Sequence, residues 1–449
     1  MNWTAWFRLS VAWAIASRSA GRAPEAKLPA TGCFDSVLPN TSNIGFSLDS
    51  FPARQLLGCL LIIFIAPIAR ADADDTLNLQ LATSVQTDNN LFRQSSRAQS
   101  DSVETSSLTL SLSKAYALQR FSLDVTLAEY HFSKNDYLDY QATNYNGAWI
   151  WALTPRLTGV VSATQTESQS SFVDYQVSGT RTGQNIARTN VYHLGAEWQI
   201  MGGWRAIGGF TNTQLANSTS FQQQSAYELN SWEGGGKYTW PSGSFAQLLY
   251  RDGDGQYKGR QLIGFDLLPA PFNPQNDTAF RQTEIEARLS VPLTGKSSLS
   301  GMLVEQTREH EHFSQRDYDV TAGRLDYNWQ ATANLSLGAG LRREVAAYQD
   351  YFSSYYVADG FSLQPSWQIS TKVVMRGSYD WQRRQFKGAL IVVPPEREDS
   401  LLSARVGIDW VPVRWATLSA GYQHDTRSSN KANLDFKADM LNVNARLSF

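Results

Sequence analysis

Across residues 441–449, Leu441, Val443, Ala445, Leu447 and Phe449 alternate with Asn442, Asn444, Arg446 and Ser448. Strict alternation at period two marks a strand with one apolar and one polar face. The pattern recurs back along the chain. Leu77, Leu79 and Leu81 alternate with Asn78 and Gln80, and Leu108, Leu110 and Leu112 with Thr109 and Ser111. Phe121, Leu123, Val125 and Leu127 alternate with Ser122, Asp124 and Thr126. Tyr192, Leu194, Ala196 and Trp198 oppose His193, Gly195 and Glu197, and Ile285, Ala287, Leu289 and Val291 oppose Glu286, Arg288 and Ser290. Ala404, Val406, Ile408 and Trp410 oppose Arg405, Gly407 and Asp409. No stretch after Asp72 holds a helical period.

The connections carry a second rhythm. Short turns follow Trp151, Trp198, Trp240, Val291, Trp329, Trp367 and Trp410, and an earlier one lies near Tyr116. Between them run longer polar connections such as 168–184, 253–280 and 386–399. Eight turns join sixteen strands, and the strands at Leu77 and Leu441 make eighteen, with sixteen to twenty allowed. Short turns on one side and long loops on the other predict an all-β fold, a transmembrane antiparallel up-and-down β-barrel. Strands of about 9–11 residues suffice to cross. An even count places both termini on one side, the periplasmic side of an outer membrane.

Trp151, Trp198, Trp240, Trp329, Trp367 and Trp410 stand where strands would leave the membrane, as a girdle at headgroup depth. A β-propeller also repeats a Trp about every 40–45 residues. Its following Asp is absent here, and each repeat reads as two long strands instead of four short ones. The barrel is preferred.

Composition agrees. A chain of 449 residues would suggest several soluble domains, yet its mean hydropathy of −0.34 leaves no bundle of membrane helices. A barrel reconciles both, because only every second residue faces lipid. The net charge of −2 gives no reason to expect nucleic acid.

The one long apolar run, Leu56–Ala69, is too short to span as a helix. It precedes Ala69-Arg70-Ala71, the small-x-small form of a signal-peptidase site. Residues 51–71 read as a signal peptide, 72–449 as the barrel, and 1–50 as a leader or an over-extended start. Leu56-Leu57-Gly58-Cys59 resembles a lipoprotein box, but the apolar core follows its Cys. Cys33 and Cys59 both precede the cleavage point, so the mature chain would hold no thiol. Mass spectrometry of membrane material should find a mature start at Asp72; peptides from 1–50 would overturn that expectation.

Charged residues at polar alternation positions are the candidate lumen lining. They are Asp124, Glu197, Glu233, Lys237, Glu286, Arg288, Arg324, Asp326, Arg342, Arg376, Asp380, Arg405, Asp409 and Arg446. Facing lipid at mid-depth, a basic side chain would cost about 2–4 kcal/mol. Facing a wet lumen the charges need not. Interspersed signs imply neither an anion filter nor a cation filter. No wall stands out as the flattened apolar face of a porin trimer.

Reactive chemistry is thin. Arg308-Glu309-His310-Glu311-His312 is expected in an external loop, and Asp252-Gly253-Asp254-Gly255 as a turn lacking the later acidic ligand of a calcium loop. The five His are scattered. No catalytic residue, metal ligand or cofactor site is assigned, and no cofactor is expected. The connection 253–280 carries Pro269, Pro271 and Pro274 among apolar residues from Leu262 to Phe272, so it should fold onto the barrel mouth, as a cap or a constriction.

Asp75-Thr76-Leu77-Asn78, Asp88-Asn89-Asn90-Leu91-Phe92-Arg93, Trp149-Ile150-Trp151, Arg427-Ser428-Ser429-Asn430 and the terminal Phe449 resemble the EpsL-like family of exosortase-associated outer-membrane barrels. The resemblance implies a part in synthesis or export of an extracellular polysaccharide, and it brings no catalytic residues. Phe449 is the expected assembly signal. Expected partners are outer-membrane lipid, the barrel-assembly machinery, and polysaccharide with envelope export proteins. A general diffusion porin is the alternative within the transport class. A barrel enzyme acting on lipid or surface glycan, or an anchor for envelope partners, are the readings outside it.

Overall fold

A computed structural model describes residues 76–173, 183–218, 226–258, 277–348, 352–389 and 394–449. The leader, signal peptide, cysteines, cleavage point and the apolar segment Leu262–Pro274 lie outside the described residues. The first strand is β1 (Leu77–Asp88). Four hairpins follow: β2 (Asp101–Tyr116) with β3 (Gln119–Phe132), β4 (Tyr140–Thr154) with β5 (Leu157–Gln169), β6 (Ile186–Met201) with β7 (Trp204–Asn217), and β8 (Tyr227–Thr239) with β9 (Phe245–Tyr257). Then come β10 (Ala279–Thr294) with β11 (Ser297–His310) and β12 (Tyr318–Gln330) with β13 (Leu335–Ala347). The last are β14 (Tyr355–Ser370) with β15 (Val373–Lys387), β16 (Glu398–Val413) with β17 (Ala416–Ser429), and the closing strand β18 (Phe436–Ser448). Two single 3-10 turns, Asp136–Leu138 and Ser314–Arg316, stand in the long connections.

All eighteen strands form one antiparallel sheet, and β1 pairs with both β2 and β18. The sheet is closed. Beyond the registered strand, Leu79 N–H donates to the Phe449 carbonyl at 2.8 Å and Phe449 N–H to the Leu79 carbonyl at 2.7 Å. Closure matters because lipid cannot satisfy an open edge. Eight tight turns gather at one rim and the nine longer connections at the other. Five of the tight hairpins shift register at the turn. At one of these Gly202 takes φ +52, the left-handed residue such a bulged turn requires.

The alternation is physical. Leu303 is 62% exposed while its neighbour Val304 is 2% exposed. Ile285, Leu289 and Leu293 face outward on β10, where Gln282, Glu284 and Glu286 are buried within. The outward apolar band ends toward the long connections in exposed ion pairs. Arg281 meets Asp252 at 2.6 Å, and Arg343 meets Asp359 at 2.8 Å. Strands run from 12 to 16 residues, longer than expected, because they continue past this boundary.

That extension corrects three expectations. Arg308–His310 belong to β11, not to a loop, and Asp252–Gly255 belong to β9. The chain uses Gly255 there for space: a Cβ would lie 2.2 Å from the Phe280 ring of the paired strand. The closing strand starts at Phe436, earlier than Leu441.

The six Trp stand at or near the tight-turn rim. Trp198, Trp240, Trp329, Trp367 and Trp410 are exposed, whereas Trp151 lies across Gly159 and is half-buried. A second outward aromatic set, including Trp232 packed on Phe210 at 4.7 Å and Trp381, sits toward the other rim.

Two seams depart from the rest. At β4–β5 the ladder ends at Tyr145–Gln165, and beyond it the side chains of Asn144, Gln165 and Glu167 bond the backbone of the facing strand. Registered pairing of β12 with β13 ends at Gly323–Arg343, while on its other edge β12 stays paired as far as Tyr318. Tyr318, Val320, Val345 and Val357 form a buried apolar cluster beside the divergence.

Candidate functional site

Inward positions of β6–β10 build a belt of paired charges. The buried Glu197 accepts from Arg205 at 2.8 Å and from Lys237 at 3.1 Å. Arg251 reaches three carboxylates: Glu233 at 2.7 Å, Glu286 at 3.0 Å and Glu284 at 3.2 Å. Arg288 also contacts Glu286. Arg251 stands opposite Glu233 and Glu284 and diagonal to Glu286, Arg288 is two residues from Glu286, and Arg205 is opposite Lys237, which reaches Glu197 across β7.

The belt continues round the wall. Gln282 Nε2 donates to Glu284 at 2.6 Å, and Arg308 Nε donates to Gln282 Oε1 at 2.9 Å. The Arg308 guanidinium also lies 4.1 Å over the Phe280 ring. Arg324 binds Asp326 at 2.6 Å, and Arg342 grips both oxygens of Asp380 at 2.6 and 2.7 Å. Arg376 pairs with Asp409, which also accepts from Ser419 Oγ at 2.7 Å. Asp124, Arg405 and Arg446 make no ion pair with the described residues. Most of the charged lining is therefore paired and much of it buried, an arrangement that interspersed signs facing a wet lumen did not by themselves specify. Paired charges hold fixed positions and present little net field.

Sequence reasoning passed over Arg205, Arg251, Glu284 and Arg308. The signal was present for three of them: Gln247, Leu249 and Arg251 alternate, as do Arg205, Ile207 and Gly209, and Glu284 sits two before Glu286.

On the opposite side of the interior lies a cavity of about 340 Å³. Its wall includes Gln80, Ser84 and Gln86 of β1, Asn442, Asn444 and Arg446 of β18, with Arg376 and Ser419. Tyr130 and Tyr140 also line it, stacked with centroids 4.3 Å apart. Two connections fold inward to bound it. In the β1–β2 connection Arg93 binds Asp88 at 2.8 Å; burial pulls the Arg93 guanidinium down from its ordinary value, and Asp88 opposes the fall. In the β5–β6 connection Phe172 packs edge-on against Phe92 at 5.0 Å. The next carbonyl, of Val173, accepts from Arg427 Nη1 at 2.6 Å, on the far side of β1–β4. With its far end on Arg427, this segment crosses the interior beside the cavity; sequence reasoning had considered such an inward fold only for 253–280. At the mouth, burial works against the charge of Arg397, but its contacts with Asp399 raise the guanidinium above its ordinary value.

A closed barrel with an apolar outside and a charged, polar inside defines a porin-like outer-membrane β-barrel. The "Putative beta-barrel porin 2" family matches residues 315–449. No curated protein matches the chain. Among solved structures it is similar to Pseudomonas aeruginosa OccK1 (OpdK), at 12% identity and a TM-score of 0.47, covering 83% of this chain and 99% of that one. It is similar also to Pseudomonas aeruginosa OpdQ, at 11% identity and 0.48, covering 84% and 100%. A third is Pseudomonas aeruginosa OccK2 (OpdF) in complex with glucuronate, at 13% identity and 0.46, covering 84% and 98%.

Proposed function

We propose that the barrel is a passive polar pore taking part in exopolysaccharide export, with both termini periplasmic. The carrying observation is the cavity beside β1 and β18. Amide and hydroxyl groups of Gln80, Ser84, Gln86, Asn442 and Asn444 face the stacked Tyr130–Tyr140 pair there. Sugars present hydroxyls to amides and C–H faces to aromatic rings, so this lining suits a hydroxyl-rich polymer. The sequence resemblance to EpsL-like barrels supports the same reading. Its partners would be the barrel-assembly machinery, envelope export proteins and the polymer, and it performs no chemistry.

A general diffusion porin is the second reading, and the paired charges of both signs favour it. Planar-bilayer recordings separate the two. An export pore should be blocked, with resolvable dwell times, by oligosaccharide from the producing strain; a diffusion porin should pass small solutes without such block.

The inward β5–β6 segment makes a further prediction. Phe172→Ala with Arg427→Gln removes the ring on Phe92 and weakens the hold on the Val173 carbonyl; Arg427 stands on β17, whose backbone pairing with Phe436 the change leaves in place. Single-channel conductance should rise with assembly unchanged. Equal conductance in a folded variant would show that this segment does not limit flow.

A further inference from the structure

The outer wall is not evenly convex. A groove of about 1200 Å³ runs along the outside from β7 to β15. Its floor is where outward positions carry almost no side chain: Gly236, Ala246, Ala287, Gly301 and Gly323. Leu248, Leu289, Leu303, Leu325 and Phe361 line it, and Trp204 and Trp381 mark its ends. At the outer end stand Arg343 and Asp359, the exposed pair that bounds the apolar band. Alongside lies the β12–β13 seam, whose Gly323 and Arg343 also line the groove.

We propose that this groove is a retained-lipid site, holding acyl chains of a membrane lipid with the headgroup at the Arg343–Asp359 rim. Continuity comes first. The groove interrupts the lipid-facing band and is lined by the same apolar residue types, so its surroundings are hydrocarbon. Shape excludes the main rival. A second copy meeting it across a two-fold axis would set hollow against hollow and leave a void, because an isologous contact places the same patch on both sides. Flexible chains can fill such a hollow and regain the dispersion contacts a void forfeits. Polar atoms at the outer end and hydrocarbon below match the order of polarity along a lipid.

The test fills the groove without straining the sheet. A Cβ on Gly301 would meet Leu325 Cδ1 at 3.6 Å, and one on Gly236 only the Arg205 carbonyl at 3.8 Å. Both are ordinary contacts. Gly147 faces outward on β4, away from the groove, with similar room, its Cβ 3.5 Å from Leu123 Cδ1. The full protein, Gly236→Leu/Gly301→Leu and the control Gly147→Leu are extracted from membranes, exchanged into a neutral detergent and measured by native mass spectrometry. A heat-modifiable gel shift first establishes that each is folded. Lipid adducts should persist on the wild type and on Gly147→Leu and be lost from the double variant. Absence of adducts from the wild type, equal adducts on all three, or a dimer that the filled groove abolishes would each overturn the proposal. If the double variant does not fold, Gly301→Leu alone carries the same test, with a reduced adduct expected.

Discussion

Replacing Arg251 with Met should cost the folded barrel about 3–5 kcal/mol, the range for breaking a buried ion pair by removing one partner. Arg251 stands among Glu233, Glu284 and Glu286, and Glu286 is 1% exposed. Without the guanidinium, Arg288 alone would face Glu286, and Glu233 and Glu284 would lose the cation they share. The urea midpoint of the heat-modifiable transition should fall markedly. Adding Glu233→Gln and Glu284→Gln should restore much of the loss, because amides tolerate the missing charge. A single substitution without effect on the midpoint would mean that water reaches these carboxylates, and that the belt is solvated rather than structural.

Phe449→Asp should remove most of the protein from the outer membrane. The substitution keeps both backbone hydrogen bonds to Leu79 and changes only the side chain. A carboxylate near the interface costs less than about 1 kcal/mol. Direct destabilisation is therefore too small for a large loss, which would instead report failed recognition by the assembly machinery. Two measurements separate these causes: surface level in cells and refolding of purified chain in detergent. Failure in cells with normal refolding supports the assembly signal. Normal surface levels would remove that role from Phe449.

The barrel was legible because its pattern is one-dimensional. Alternation reports which residues share a face, and the eight tight turns point to eighteen strands within a range of sixteen to twenty, without tertiary knowledge. Pairing partners were not legible. That Arg251 reaches Glu284 and Glu286 depends on how β9 and β10 are registered, which neither strand specifies by itself. The extended strand ends were misread because both faces turn polar above the lipid, so Arg308–His310 lose the contrast on which period-two reading depends. Gly253 and Gly255 look like turn residues alone, and only Phe280 on the neighbouring strand explains the second. The inward path of Ser170–Val173 was hidden for a related reason: Phe172 finds Phe92, and the Val173 carbonyl finds Arg427, only after closure.

The short β12–β13 ladder gives the ring an uneven compliance. Elsewhere along the wall, opening the sheet breaks a longer run of hydrogen bonds together, or, at β4–β5, the side-chain bonds of Asn144, Gln165 and Glu167 that extend a ladder as short. Above Gly323 and Arg343 that run is already missing, and Tyr318, Val320, Val345 and Val357 hold the two strands by packing instead. Local opening free energies follow the hydrogen bonds and contacts that must be lost. Fluctuations of the circumference should therefore concentrate at this point, with the outer halves of β12 and β13 exchanging amide hydrogens earlier than their neighbours. A bulky solute widening the mouth would find the wall softest there.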